Sequence, residues 1–185
     1  KDSFAYHKLK ALIAIGGEDT LGVAGKLVKE GFNIVGVPKT IDNDLPGTDF
    51  TFGFDTAISI ATEAIDRIHT TAESHNRVLV VEVMGRHVGW IAAAAGIAGG
   101  ADAILVPEKV VPIEVLCRII RDRARRKRHF SLFVVAEDAK IRLGPGKILR
   151  TPVVRDEYGD VKLGGIGEQL ATEIRQLLIE TVTMN

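Results

Sequence analysis

Five short apolar runs, each closed by glycine, proline or a charged loop and each followed by a helix-like segment, constrain what this 185-residue chain can fold into. The run 11–15 (ALIAI), stopped by Gly16-Gly17, has the continuous apolar pattern of a strand buried on both faces. Thr20 predicts an N-cap for a helix over 21–30, closed by Gly31. A second strand is predicted over 33–37, ended by Pro38. After a polar, Asp-rich loop, a helix begins at Asp55 or Thr56 and runs to Ser74, with Ile58, Ala61, Ile65 and Ile68 on one face. The run 78–83 (VLVVEV) is the clearest strand, and the small residues of 89–96 suit a closely packed helix. Strands follow at 103–106 and 132–136, separated by a helix over 113–127. Residues 138–163 read as an irregular insertion with a hairpin turning at 157–160, and 167–181 as a final amphipathic helix. Strands alternating with helices predict an α/β fold, a parallel sheet with helices on both faces.

Charge and cysteine use narrow the function classes. Lys plus Arg is 24 and Asp plus Glu is 24, so the net charge of zero excludes a polybasic nucleic-acid binder. The basic stretch 118–129 lies in the second half of a predicted helix, without interleaved aromatics, and reads as a solvated face. The single cysteine, Cys117, excludes an internal disulfide framework and reads as a packing residue. The longest apolar stretch, 91–98, is far short of the roughly 20 residues of a membrane span, and no signal peptide opens the chain. A soluble, cytoplasmic protein with no nucleic-acid or membrane partner is therefore expected. The five histidines, His7, His69, His75, His87 and His129, show no metal-ligand spacing, and Phe54 and Trp90 read as core or interface residues.

In parallel sheets, ligands bind beyond the carboxyl ends of the strands, where loops and helix N-termini gather. Those loops hold Glu18-Asp19-Thr20, Lys39-Thr40-Ile41-Asp42-Asn43-Asp44, Met84-Gly85-Arg86, Glu108 and Glu137-Asp138. Carboxylates able to hold Mg²⁺, with cations and backbone N–H groups able to hold phosphates, are the parts phosphoryl transfer needs. Gly16-Gly17 permits close backbone approach to a phosphate, and two acids two residues apart, Asp42 and Asp44, can divide between base and metal ligand. Asp and Asn also favour turns and caps, so a structural reading of that loop stands beside the functional one. Neither a G-x-G-x-x-G fingerprint nor a G-x-x-x-x-G-K-[ST] loop occurs, so dinucleotide-dependent dehydrogenase and P-loop ATPase readings lose support.

The blocks Gly16-Gly17-Glu18-Asp19-Thr20, Pro38-Lys39-Thr40-Ile41-Asp42-Asn43-Asp44, Gly53-Phe54-Asp55-Thr56-Ala57 and Glu82-Val83-Met84-Gly85-Arg86, in this order and spacing, resemble the 6-phosphofructokinase family. The resemblance covers nearly the whole chain and is weakest after Asp138. It implies Mg²⁺-dependent phosphorylation of O1 of fructose 6-phosphate, in glycolysis, by a homodimer or homotetramer. It assigns Asp42 as the base for the sugar hydroxyl, with Thr40 and Asp44 beside the transferring phosphoryl group and Asp44 near its metal. Glu18 matches the acid that holds Mg²⁺, which is usually Asp in the family. Arg86 matches the arginine that steadies developing charge, and Met84 and Gly85 line the sugar-phosphate site. Arg77 matches the arginine that reaches the sugar phosphate of a neighbouring subunit, and Glu137 a carboxylate that binds a sugar hydroxyl.

Two departures bear on completeness. The family carries a Gly-rich donor loop about a hundred residues before the Gly-Gly block and a Gly-His-x-x-Arg-Gly-Gly segment near its end, and neither occurs here. The chain is thus expected to be a central portion: sheet and site loops over about 1–137, insertion over 138–163 and helix over 164–185.

Two positions bear on the phosphoryl donor. In the ATP users of the family the residue after the metal-binding acid is Gly, and so is the residue opening the Thr-Ile-Asp-Asn-Asp block. Here they are Asp19 and Lys39. A carboxylate about 4 Å from a phosphate repels it by about 4 kcal/mol at an effective dielectric of 20, enough to exclude a ligand. Lys39 can pair with Asp19 and bind a terminal phosphate. With Gly17, Asp19, Thr20 and Lys39 as donor contacts, the resemblance implies a pyrophosphate-dependent enzyme. An ATP-dependent enzyme is the alternative, and a non-catalytic fragment or regulatory subunit of the same fold is the alternative of another class.

Overall fold

The computed structural model describes residues 2–151, 154–155 and 161–183, in two units, Lys1–Asp55 and Thr56–Asn185. The first unit contains α1 (Asp2–Tyr6), β1 (Leu12–Gly16), α2 (Glu18–Lys29), β2 (Ile34–Thr40) and β3 (Phe52–Gly53). β1 and β2 pair in parallel from Leu12 opposite Ile34 to Gly16 opposite Pro38, and β3 joins β2 at Lys39 and Thr40. Two expectations shift here. α2 starts at Glu18 with Gly17, not Thr20, in the N-cap place, because Glu18 and Asp19 in its first turn complement the helix dipole. Thr20 instead lies over Gly16, where a Cβ would overlap its side chain. β2 runs through Pro38 because that residue faces the last position of β1 and β3 pairs only from Lys39 onward, so the missing N–H interrupts no continuing ladder.

α2 covers one face of this sheet, its Leu21 side chain 3.1 Å from where a Cβ at Gly36 would sit. On the other face Ile13, Ile15 and Val35 are 63, 60 and 57% exposed. The expected burial on both faces therefore does not hold for β1 and β2.

α3 (Phe54–Ser74) opens at the boundary between the units. It is followed by β4 (Val78–Val83), α4 (Trp90–Ala98), β5 (Ala103–Leu105), β6 (Val111–Pro112), α5 (Ile113–Arg125) and β7 (Ser131–Ala136). β8 (Ile141–Gly144), β9 (Lys147–Leu149), β10 (Val154–Arg155), β11 (Val161–Lys162) and α6 (Ile166–Thr183) complete the second unit. β4, β7 and β5 form a second parallel sheet in that order, so the strands expected in one sheet divide between two.

Every residue of β7 is buried. On one side Leu132, Val134 and Ala136 meet Ile65 of α3 and Ala92 and Ala95 of α4. On the other, Phe133 and Val135 meet Leu116 and Cys117 of α5 and Ile166, Leu170 and Ile174 of α6. This sheet has the helices on both faces that continuous apolar runs require.

The stretch expected to be irregular is largely paired. β6 runs parallel to β8, and β8 turns antiparallel into β9 with an irregularity between Arg142 and Gly144. β10 pairs with β11, while the turn placed at 157–160 lies outside the described residues. Arg123 departs from the solvated face expected of 118–129. It forms an ion pair with Asp102, donates from Nε to the Phe130 carbonyl at 2.9 Å and lies over the Phe130 ring. Asp102 in turn accepts the Leu132 N–H at 2.9 Å, so the pair fixes the entry into β7.

Two predictions follow from the packing of α4 and α5. A Cβ at Gly99 would lie 3.0 Å from Ile65 Cβ and 3.1 Å from the Ala95 carbonyl, and Ile65 is fully buried. Gly99→Ala is expected to cost about 1–3 kcal/mol through overpacking, read as a lower denaturant midpoint at unchanged m-value. Adding Ile65→Ala should give a loss smaller than the sum of the two. Burial pushes the Cys117 thiol above its ordinary range, with Arg121 opposing and Glu114 reinforcing the shift. A raised value disfavours the thiolate, so Cys117 should resist iodoacetamide at pH 8 in the folded chain and react fully in denaturant.

Candidate active site

In the first unit the predicted residues occupy the carboxyl ends of two neighbouring strands. Gly17, Glu18, Asp19 and Thr20 follow β1, and Lys39 and Thr40 close β2. The two segments run side by side: a Cβ at Gly17 would meet Thr40 Cβ at 3.4 Å, so the helix start passes beside the Thr40 side chain. Thr40 Oγ1 donates to Asp42 Oδ2 at 3.2 Å and accepts the Asp42 N–H at 3.2 Å. This local ring aims the Asp42 carboxylate back toward the strand end. Asp42 and Asp44 are half-buried, and Glu18, Asp19, Thr20 and Lys39 are exposed.

Asn43, between the two acids, has a structural task. Its backbone is left-handed (φ 54°), its Oδ1 accepts the Thr51 N–H at 2.9 Å, and its Nδ2 donates to the Asp49 carbonyl at 3.3 Å. The middle residue thus closes the loop while Asp42 and Asp44 flank it. Asp19 and Lys39 form no ion pair with each other among the described residues. No cluster of three or more His, Cys, Asp or Glu with metal-holding geometry occurs among them either. Glu18 and Asp44 lie beyond the ends of two paired strands, and carboxylate oxygens are the donor chemistry Mg²⁺ takes, since that ion commonly uses one or two carboxylates and completes its shell with phosphate oxygens and water. An apolar groove in this unit, lined in part by Leu21, Ala24, Pro38 and Leu45, contains none of the predicted site residues.

In the second unit Met84, Gly85 and Arg86 follow β4. Gly85 has φ 148°, and a Cβ there would lie 2.7 Å from the Val88 carbonyl, so the turn requires glycine. Arg86 is itself left-handed (φ 49°), with its side chain exposed. Glu137, just beyond β7 and only 8% exposed, accepts the Gly85 N–H at 3.2 Å and the Arg86 N–H at 2.8 Å through the same oxygen, Oε1. Asp138 binds His87 Nδ1 at 2.9 Å, and Glu108 accepts the Gly89 N–H at 2.9 Å at the start of α4. Acids that the sequence places at strand ends as candidate ligand contacts therefore hold a backbone turn.

Arg77 stands apart. It precedes β4, with its carbonyl accepting the Ser131 N–H at 3.1 Å, whereas Arg86 follows the strand. The two arginines are separated by the strand's length, roughly 20 Å for its 6 residues. Glu82 has a role that sequence reasoning missed. Its carboxylate accepts the Gly165 N–H at 2.9 Å and the Gly167 N–H at 2.8 Å, tying β4 to the start of α6. A lone acid within VLVVEV, with a glycine pair before a helix far downstream, was the available signal.

The family model described as phosphofructokinase matches residues 1–184. The chain is 58% identical to the pyrophosphate--fructose 6-phosphate 1-phosphotransferase of Amycolatopsis mediterranei over 174 residues, 94% of this chain and 50% of that protein. It is 51% identical to the ATP-dependent 6-phosphofructokinase of Corynebacterium efficiens over 178 residues, 96% of this chain and 51% of that protein. Among solved structures, it resembles the pyrophosphate-dependent phosphofructokinase of Marinobacter aquaeolei with a TM-score of 0.72 and 28% identity, over 96% of this chain and 44% of that one. The chain spans about half the length of the curated relatives it matches.

Proposed function

Because this chain belongs to the phosphofructokinase family, we propose that the enzyme carrying it transfers a phosphoryl group from pyrophosphate to O1 of fructose 6-phosphate, reversibly. The observation that carries the phosphoryl-transfer reading is the close approach of the Gly17 backbone to Thr40, whose hydroxyl is hydrogen-bonded to Asp42. It places a helix start, a hydroxyl and a carboxylate at one strand end, where a phosphate and an alcohol can be held together.

Asp42 accepts the proton of the sugar 1-hydroxyl as O1 bonds to phosphorus, the bridging P–O bond breaks and inorganic phosphate leaves. The family resemblance assigns to Arg86 the role of offsetting charge on a transferring phosphoryl group. Glu18 and Asp44 would hold Mg²⁺ through carboxylate oxygens, and the ion would neutralise part of the donor's charge. Arg77, a strand's length from Arg86, serves such a site from a neighbouring copy, which favours a homo-oligomer. No described helix is long and apolar enough to cross a membrane.

Pyrophosphate is favoured as donor by Asp19 in the first turn of α2 and Lys39 at the end of the adjoining strand. Asp19 opposes a nucleotide phosphate and Lys39 attracts a terminal one, and each does so without the ion pair between them that the sequence allows. The alternative, ATP as donor, is favoured by the relative from Corynebacterium efficiens named for it.

In a full-length phosphofructokinase carrying this sequence, Asp42→Asn should lower kcat by ~10²–10⁴ with little change in KM. A kcat near wild type would move the base elsewhere. Initial rates with each donor test the second element: pyrophosphate should exceed ATP, Lys39→Gly should mainly reduce pyrophosphate turnover, and Asp19→Gly should raise ATP turnover. A preference of the unmodified enzyme for ATP overturns the assignment.

A further inference from the structure

Two successive acids beyond β7 reach three successive residues beyond β4. Glu137 Oε1 accepts the N–H groups of Gly85 and Arg86, and Asp138 Oδ2 lies 2.9 Å from His87 Nδ1. The second bond differs in kind: Glu137 meets backbone, whereas Asp138 meets a ring. The turn is already fastened by Glu137 at one end and by Glu108, at Gly89, at the other, so it needs no third support. An exposed ion pair adds little to stability, and the His87 side chain is 70% exposed. What the bond settles is the orientation of the imidazole and the place of its proton. An ionised carboxylate only accepts hydrogen bonds, so in the neutral ring Nδ1 carries the proton and Nε2 the lone pair. Asp138 is half-buried and holds the ring from the protein side, and the exposed ring offers Nε2.

We propose that His87 is a further substrate contact at this site: oriented by Asp138, its Nε2 accepts a hydrogen bond from a hydroxyl of the sugar phosphate. The neighbours suit that role. His87 directly follows Arg86, and Asp138 directly follows Glu137, to which the family resemblance assigns a sugar hydroxyl. An imidazole lone pair complements a hydroxyl and opposes a phosphate oxygen, so the sugar is the matching part of the substrate. Asp138 is a positioning residue that acts through the ring. The proposal rests on the reading above that fructose 6-phosphate is the substrate.

Asparagine and glutamine each copy one nitrogen of the ring. In a full-length phosphofructokinase carrying this sequence, His87→Asn keeps a donor for Asp138 and removes the outer acceptor. It should raise the KM for fructose 6-phosphate about 10-fold, the weight of one hydrogen bond, and change kcat less than about threefold. His87→Gln gives up Asp138 but keeps an acceptor oxygen at the outer position, and should recover part of the loss. A pair that only holds the fold together gives the reverse order, Asn benign and Gln harmful, and that order overturns the proposal. Asp138→Ala should raise the same KM more mildly and lose its effect in a His87→Ala background. Persistence of the effect there overturns the positioning role.

Substrates lacking the 3-hydroxyl or the 4-hydroxyl identify the group that is bound. On one of the two, His87→Asn and the unmodified enzyme should show the same KM, and a full penalty on both overturns the hydroxyl contact. Calorimetric binding of fructose 6-phosphate without a phosphoryl donor gives a readout independent of turnover. The Kd should rise about 10-fold in His87→Asn at an unchanged thermal midpoint. Equal affinity overturns the proposal and leaves the functional reading standing. An unmodified enzyme that neither binds nor phosphorylates fructose 6-phosphate overturns both.

Discussion

The fully buried strand β7 is the constraint on which the second unit depends. Its alternate side chains are shared between two helical layers, α3 with α4 on one side and α5 with α6 on the other. A strand in that place can carry no exposed polar side chain along its length, so polar chemistry is confined to the point where it stops. That point is Glu137, and the chain there shifts from core to anchor within one residue. At the opposite end Ser131 is buried, and its backbone N–H reaches the Arg77 carbonyl and fixes the register with β4.

The first unit solves the same problem with less material. Its sheet has one helix over one face and gathers its charged residues at the ends of β1 and β2. Close approach there depends on Gly16 and Gly17, which let Thr20 and Thr40 sit where side chains would otherwise stand. The hydroxyl–carboxylate ring of Thr40 and Asp42 needs no partner from elsewhere in the chain to form.

Much of this was legible before any coordinates, where local pattern and tertiary demand agreed. VLVVEV reads as a strand and is β4, and the small residues of 89–96 read as a close-packed helix and fall in α4 (Trp90–Ala98), with Gly96 and the following Gly99 against Ile104 and Ile65. Illegible were features set by partners distant in sequence. Apolar runs look alike whichever sheet they join, so the division into β1–β3 and β4–β7–β5 left no trace in them. Pro38 is tolerated only because of where β1 happens to end. The β8–β9 hairpin has a Pro145-Gly146 turn that a stricter reading of turn chemistry would have caught. At the candidate site the residue types at the strand ends are legible in the sequence, and their hydrogen-bond partners are not. A carboxylate at a strand end looks the same whether it faces a ligand or, like Glu108 and Glu137, a backbone N–H.

The clasp between Glu82 and the start of α6 sets a timetable for the chain as it is made. Glu82 lies 83 and 85 residues before the two amides it accepts. During synthesis β4 is complete long before its carboxylate meets them, and that side of the sheet lacks its α6 cover until residues 166–183 emerge. Contacts of such separation close late, after the loop entropy between them has been overcome. The first unit, whose parallel pairing lies within its own 55 residues, is under no such delay. Nascent chains of this sequence therefore pass through an interval in which one unit is built while the other still presents Val135 and Phe133 without Ile166 and Leu170 to cover them. That is the interval in which a chaperone would find its substrate.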